Sequence, residues 1–263
     1  MKCNIIIEYL ERLSPKKYAS NWDNVGLLVG RKDKEVSKVM VALDASKDIV
    51  MMAVNNKVDM LITHHPMIFS SVKKINEDDF ISEKILTLAE NGIAYYAMHT
   101  NFDTIGGMGE LAAGPKYLDL KECEPLIFES DDTEGMGRGG LLPHPMTASE
   151  VAEYVKVRFG LSFVMLYQNR QLKDKVFEKV AVLPGSGKSE IEEVRKLGYE
   201  LYITGDYGHH SGIDAMDMGM TVIDATHYGL EHIFIPYIAE HLKNECKGIE
   251  VIQADTGCPV QII

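Results

Sequence analysis

Two similar stretches of sequence, Ile-Thr-His-His at residues 62–65 and Ile-Thr-Gly-Asp at residues 203–206, decide the fold. Each follows an apolar stretch of similar sequence, Lys-Val-Met-Val at residues 38–41 and Lys-Val-Ala-Val at residues 179–182. In both halves the lysine of the apolar stretch precedes the threonine by 25 residues. This equal spacing predicts two related units, each made of a strand, a helix and a strand.

Short apolar runs separated by segments of helix length are typical of mainly parallel sheets. The predicted strands cover residues 39–43, 60–63, 94–98, 180–183, 201–204 and 220–223. Apolar residues at helical spacing predict crossover helices over residues 46–56 and 190–197. A further helix is expected from a capping box at Thr147 and Glu150 to a stop at Gly160. The predicted fold class is therefore α/β, with two related α/β domains.

The domain boundary is predicted from a change in composition. Residues 129–145 are rich in glycine, proline and acidic side chains, which indicates a boundary or a mobile loop. We therefore expect a second domain over residues 129–223. The first domain is expected to be discontinuous, with residues 1–128 and 224–263, because an apolar run at residues 249–253 can return to the first sheet.

Composition limits the classes of function. Asp and Glu number 39 against 27 Lys and Arg, and a net charge of −12 disfavours a nucleic-acid partner. The four cysteines lie far apart, which predicts reduced thiols rather than a zinc or redox pair. Charged residues interrupt the first 13 positions, so they do not resemble a signal peptide, and later apolar runs are too short to span a membrane. We therefore expect a cytoplasmic protein.

His64 and His65 follow a predicted strand directly, at the end where α/β sheets bind their ligands. In the turn after a strand both imidazoles can converge, which suits metal binding. The alternative is a capped turn with two imidazoles facing solvent.

Two further histidines each precede a carboxylate by four residues: His99 with Asp103, and His227 with Glu231. On a helix this spacing puts both side chains on one face, as in known metal-binding helices. Taken alone, each pair also fits an ordinary helix start. Their convergence at strand ends predicts a metal site. Imidazole and carboxylate ligands suit zinc, iron or manganese, and the sequence does not choose among them.

Other polar residues fit more than one role. Asp206, His209 and His210 follow the strand of the second half, where they suit substrate binding, proton transfer or a plain surface turn. Asp44 suits a helix N-cap as well as a ligand.

Two glycine-containing segments are interpreted as structural. Residues 185–189, Gly-Ser-Gly-Lys-Ser, resemble a phosphate-binding turn but lack the leading glycine of that motif. We interpret them as a strand-to-helix turn with an N-cap serine, and keep anion binding as the alternative. The segment at residues 22–30, with Asp-Asn and spaced glycines, is expected to have a structural role next to the site.

Five motifs, in this order along the chain, resemble those of the GTP cyclohydrolase 1 type 2 family, also called the Nif-like family. They are Asp23-Asn24-x-Gly26-Leu27-x-x-Gly30, Thr63-His64-His65-Pro66, His99-Thr100-x-x-Asp103, Thr204-Gly205-Asp206 and His227-Tyr228-x-x-Glu231. The resemblance implies two α/β domains, a dinuclear metal centre in the cleft between them, and a ring-shaped homohexamer built as a trimer of dimers.

The same resemblance implies site residues. The family's metal ligands correspond here to His64, His65, Asp103, His227 and Glu231, and His99 corresponds to an outer or orienting group. The chain departs from the family pattern at Thr226, where many members have glycine, and in a loose match at residues 255–260. Its length of 263 residues corresponds to members without an inserted domain.

The implied activity is a hydrolysis that depends on two divalent metal ions and converts GTP to dihydroneopterin triphosphate and formate, starting at C8 of guanine. We expect His99, Asp206 and His210, with His209 as a further candidate, to transfer protons. The turn at residues 185–189, or its Lys188, would hold phosphate. Two alternatives remain open: a metal-dependent enzyme acting on a phosphoester or another amide-like bond, and a non-catalytic scaffold for metal binding, metal delivery or regulation.

Overall fold

The computed structural model describes residues 1–128 and 134–263, and this part of the chain divides into two compact units. Unit 1 comprises Met1–Ile105 and Phe234–Ile263, and unit 2 comprises Gly106–Ile233. The helices are α1 (Cys3–Leu13), α2 (Lys47–Asn55), α3 (Phe80–Glu90), α4 (Thr100–Thr104), α5 (Met108–Ala113), α6 (Ala148–Phe159), α7 (Ile191–Lys196), α8 (His209–Asp217), α9 (His227–Glu231) and α10 (Phe234–Glu245). The strands are β1 (Gly26–Val29), β2 (Lys38–Ala42), β3 (Met60–Thr63), β4 (Ala94–Ala97), β5 (Lys121–Ile127), β6 (Met136–Thr147), β7 (Met165–Tyr167), β8 (Val176–Ser186), β9 (Leu201–Gly205), β10 (Thr221–Asp224) and β11 (Glu250–Gln253).

Unit 1 contains a five-stranded sheet in the order β1-β4-β3-β2-β11. Strand β1 runs antiparallel to β4, and the other pairs are parallel. Strands β3 and β4 are buried along their whole length, because helices cover a parallel sheet on both faces. Strand β11 pairs with β2, which confirms that the run at residues 249–253 returns to this sheet.

Unit 2 contains a six-stranded sheet in the order β5-β6-β8-β9-β10-β7. Its parallel part is β8, β9 and β10, as predicted, and β5, β6 and β7 add antiparallel pairs that the sequence analysis did not find. Helix α6 begins with the predicted capping box of Thr147 and Glu150, and ends at Gly160 in the left-handed conformation. The predicted α/β fold class is confirmed.

The bounds of the two units differ from the predicted domain bounds. The boundaries between the units follow residues 105 and 233, whereas the predicted domain boundaries follow residues 128 and 223. Residues 129–133, where the predicted second domain starts, lie outside the described residues. Strands β5 and β6, on either side of them, pair with each other and so belong to one sheet.

Residues 136–145 of the predicted loop belong to strand β6. Its proline residues, Pro143 and Pro145, lie between Leu141 and Met146, where the pairing with β8 shifts register. A bulged stretch tolerates prolines because their nitrogens are not needed for ladder hydrogen bonds. Within residues 1–128 and 134–263, no helix is long and apolar enough to cross a membrane.

Candidate metal centre

The candidate metal-binding residues of the first half of the chain lie at the carboxyl ends of three neighbouring parallel strands in unit 1. Strand β2 leads to Asp44, β3 to His64 and His65, and β4 to His99. One ring nitrogen from each of the three histidines lies within 4.8 Å of the others. His64 is completely buried, so the alternative of two imidazoles facing solvent does not hold for it.

Each of these three histidines donates a hydrogen bond through Nδ1. The acceptors are the carbonyl oxygen of Met98 for His64 (2.9 Å), Asp44 for His65 (2.9 Å) and Asp23 for His99 (3.0 Å). Because Nδ1 carries the proton, the lone pair of each ring is on Nε2. Metal-binding histidines are held in this way, with the second nitrogen fixed by a carboxylate or carbonyl group.

Asp103 adds a carboxylate to the same half. It lies on α4, one turn after His99, and its Oδ1 is 3.5 Å from Nε2 of His64. From the sequence, Asp44 fits a helix cap or a ligand. The cap of α2 is Ser46, which accepts a hydrogen bond from the N–H of Ile49, and Asp44 instead holds the imidazole of His65.

Tyr95, which no sequence motif singles out, fixes the turn that carries the histidine pair. Its buried hydroxyl donates to the carbonyl oxygen of His65 (3.0 Å) and accepts from the N–H of Met67 (2.9 Å). Burial raises the pKa of Tyr95 to about 12, so the hydroxyl keeps its proton at neutral pH.

Asp23 explains the conformation of the segment at residues 22–30. Besides His99, its carboxylate accepts hydrogen bonds from the N–H (3.0 Å) and the hydroxyl (2.6 Å) of Thr100. Burial raises the pKa of Asp23, but the hydrogen bonds from His99 and Thr100 outweigh that effect and lower it to about 2. Asp23 is therefore ionised at neutral pH and orients His99.

The candidate metal-binding residues of the second half of the chain lie at the carboxyl end of the parallel strands of unit 2. His227 and Glu231 lie one turn apart on α9, with Nε2 of His227 3.0 Å from Oε2 of Glu231. Nδ1 of His227 donates to Oδ2 of Asp206, which follows β9, at 2.8 Å. Glu231 is almost completely buried. This half therefore repeats the anchored imidazole and adjacent carboxylate of the first half.

The backbone before α9 is tightly constrained. A Cβ atom at residue 205 would lie 2.5 Å from the backbone nitrogen of His227. The start of α9 therefore leaves room only for glycine at residue 205. Thr226 has φ +63° and ψ 155°, close to a region that glycine alone adopts readily. Its hydroxyl accepts a hydrogen bond from the N–H of Gly229 at 3.0 Å and so caps the helix.

Asp224 joins the two loops of this half. Its carboxylate accepts hydrogen bonds from the N–H groups of Tyr207 and Thr226, both at 2.8 Å, although burial raises its pKa. The loop that carries Asp206 is therefore tied to the loop that precedes His227.

The remaining predicted residues lie nearby in sequence but have other surroundings. His209 and His210 begin α8, are exposed, and have ring centroids 5.3 Å apart. The hydrogen bond with His227 gives Asp206 an orienting role, and proton transfer by Asp206 and His210 stays a prediction. The prediction of an N-cap serine in the turn at residues 185–189 is wrong. Strand β8 continues through Ser186. The short 3₁₀ turn Lys188–Glu190 then follows Gly187 and has no side-chain cap.

Comparison with known proteins identifies the family. The family model of Duf34/NIF3 (NGG1p interacting factor 3) matches residues 1–259. This chain belongs to the Duf34/NIF3 family. A GTP cyclohydrolase 1 type 2 homolog of Clostridium perfringens is 30% identical over 245 residues, 92% of each chain. A protein of the same name from Methanocaldococcus jannaschii is 33% identical over 259 residues, 97% of this chain and 100% of the relative. The family resemblance is thus confirmed.

Two solved structures share this fold. Reduced HcgD from Methanocaldococcus jannaschii is 33% identical and superposes with a TM-score of 0.83, covering 96% of this chain and 97% of that chain. Staphylococcus aureus hypothetical protein SA1388 is 24% identical, with a TM-score of 0.87 over 100% of this chain and 99% of that chain. The second likeness concerns the fold alone.

The side chains present fit a divalent transition metal. Three imidazoles with Nδ1 anchored and a nearby carboxylate occur in the first half, and one anchored imidazole with a buried carboxylate occurs in the second. Imidazole nitrogen and carboxylate oxygen are the ligands that zinc, iron and manganese share. Residues that can hold a metal ion are therefore present in this member of the Duf34/NIF3 family.

Proposed function

We propose that this chain is a metal-dependent hydrolase that acts on GTP and releases formate. The ligands would be His64, His65, Asp103, His227 and Glu231, which together would hold two divalent ions. The observation that carries the proposal is the anchoring of every candidate ligand imidazole through Nδ1, because hydrogen bonding of this kind prepares Nε2 for a metal.

Two divalent ions, when bound, supply an acidified water and polarise the bond that is attacked. The side chains of the protein would position the substrate and move its protons. His99 is the best-supported proton carrier, since Nε2 has the lone pair and the ionised Asp23 beside Nδ1 stabilises the imidazolium that forms. Asp206 and His210 are the further proposed carriers, and Lys188 is proposed to contact phosphate.

The assembly proposed for this chain is a homohexamer, as the family resemblance implies. Light scattering on the purified protein would then give about six times the chain mass of 29.4 kDa. A monomer or dimer at micromolar concentration would reject this part of the proposal without affecting the metal ligands.

The test of the activity is formate release from GTP by the metal-loaded protein. Glu231→Ala should abolish it, because removing a buried ligand disturbs the metal position. Glu192→Ala, an exposed glutamate on α7, is the matched control and should behave like the native protein. Bound metal without formate release from the native protein would reject the cyclohydrolase proposal and favour the scaffold or another hydrolytic substrate.

A further inference from the structure

Two exposed aromatic rings lie against His99. Trp22 is 65% exposed and Phe69 is 55% exposed, although both are among the largest apolar side chains. The ring centroid of His99 is 5.9 Å from that of Trp22 and 5.8 Å from that of Phe69, and both contacts are edge-on. Large exposed apolar side chains that lie together commonly mark a binding surface.

Phe69 also belongs to a cavity in unit 1. The segment that follows His65 forms most of its wall, and its volume is about 630 Å³. Sites for small molecules and cofactors fall in the range of roughly 300 to 1,000 Å³. The volume of the cavity beside Phe69 is therefore in the range of small-molecule sites.

We propose that Trp22 and Phe69 bind the purine ring of the substrate by stacking, with His99 at its edge. This inference rests on the proposed function, since it takes the substrate to be a guanine nucleotide. Aromatic side chains bind bases through their flat faces, and more than half of the surface of Trp22 and of Phe69 is exposed. The base would then lie next to the side chain best suited to exchange protons with it.

The chain offers a direct reporter of this contact, because Trp22 is its only tryptophan. A guanine ring stacked on Trp22 quenches its fluorescence. The zinc-loaded protein would be titrated with GTP and, as a probe without a base, with inorganic triphosphate. Free N-acetyltryptophanamide corrects for light absorbed by guanine. We expect saturable quenching by GTP and none by triphosphate.

The second arm compares two phenylalanine variants. Phe69→Ala should weaken GTP binding by about 5- to 150-fold, the range measured for loss of one base stack. Phe80→Ala is the control, since Phe80 is 71% exposed and its ring lies 5.7 Å from the ammonium group of Lys84. It should bind GTP like the native protein. Equal affinities of the two variants, or absence of quenching by GTP, would overturn the inference.

The outcomes separate this inference from the proposed function. If GTP quenches Trp22 but no formate forms, stacking stands and the cyclohydrolase proposal fails. If Trp22→Ala and Phe69→Ala release formate with the KM of the native protein, the activity stands and the stacking inference fails.

Discussion

Nδ1 of His227 lies 2.8 Å from Oδ2 of Asp206, and the hydrogen bond between them fixes the imidazole with Nε2 toward Glu231. In unit 1, His99 has the same relationship with Asp23 at 3.0 Å. A carboxylate from another segment of the chain therefore orients an imidazole in each of the two units. This makes the orienting carboxylates as informative to test as the proposed ligands.

Asp206→Asn should weaken zinc binding by about 10- to 100-fold, the usual cost of removing such an orienting group. The replacement removes the negative charge but suits the backbone, because Asp206 has φ +57° and asparagine adopts this left-handed conformation readily. Competition with a chromogenic chelator would measure the affinity. Asp174→Asn, at a side chain that is 87% exposed, is the control. Equal zinc affinities for the two variants would contradict the orienting role.

Asp23→Asn should reduce stability in a way that depends on pH. The pKa of Asp23 in the folded state is about 2, below the ordinary value near 4, so the ionised carboxylate stabilises the folded protein. That stabilisation is complete above about pH 4 and is lost as the pH falls toward 2. It amounts to on the order of 2 kcal/mol at pH 7.

Urea unfolding at pH 7, 4 and 3 would check this prediction. The difference between the native protein and Asp23→Asn in free energy of unfolding should shrink below pH 4. Asp33→Asn, at an exposed aspartate of the same unit, should stay close to the native protein throughout. If the loss in free energy of unfolding caused by Asp23→Asn is the same from pH 7 to pH 3, the ionised carboxylate of Asp23 is not the source of the stabilisation.

The sequence predicted the parallel strands well because their apolar runs are continuous. Strand β3 has the predicted bounds, and each proposed ligand follows a buried strand. The sequence does not reveal β5, because its first four residues are exposed and mostly charged, or β7, because it is only three residues long. The contacts of Asp44 with His65 and of Asp23 with His99 join residues 21 and 76 positions apart, so local spacing carries no signal of them.

Thr226 tests whether the backbone before His227 is strained. Its left-handed conformation is expected to cost about 1 to 3 kcal/mol, whereas its helix cap contributes about 1 kcal/mol. Thr226→Ala loses the cap and keeps the strain, so its free energy of unfolding should be about 1 kcal/mol lower than that of the native protein. Thr226→Gly loses the cap but relieves the strain, so it should be at least as stable as the native protein. Chemical unfolding of both variants would measure this, and equal stabilities for Ala and Gly would argue against strain.

Gly185→Ala tests the position of Glu231 without altering any proposed ligand. A Cβ atom at Gly185 would lie 2.6 Å from Oε1 of Glu231, so the carboxylate must move. Gly219→Ala is the matched control, because φ is +80° at Gly185 and +78° at Gly219, while nothing lies within 4 Å of a Cβ at Gly219. Both variants should lose about 1 kcal/mol of stability from the left-handed backbone. Only Gly185→Ala should also bind zinc about tenfold more weakly or worse, as measured by chelator competition. Equal zinc affinities would mean that Glu231 does not contact the metal, since the two backbones are strained alike and differ only in what the added methyl group meets.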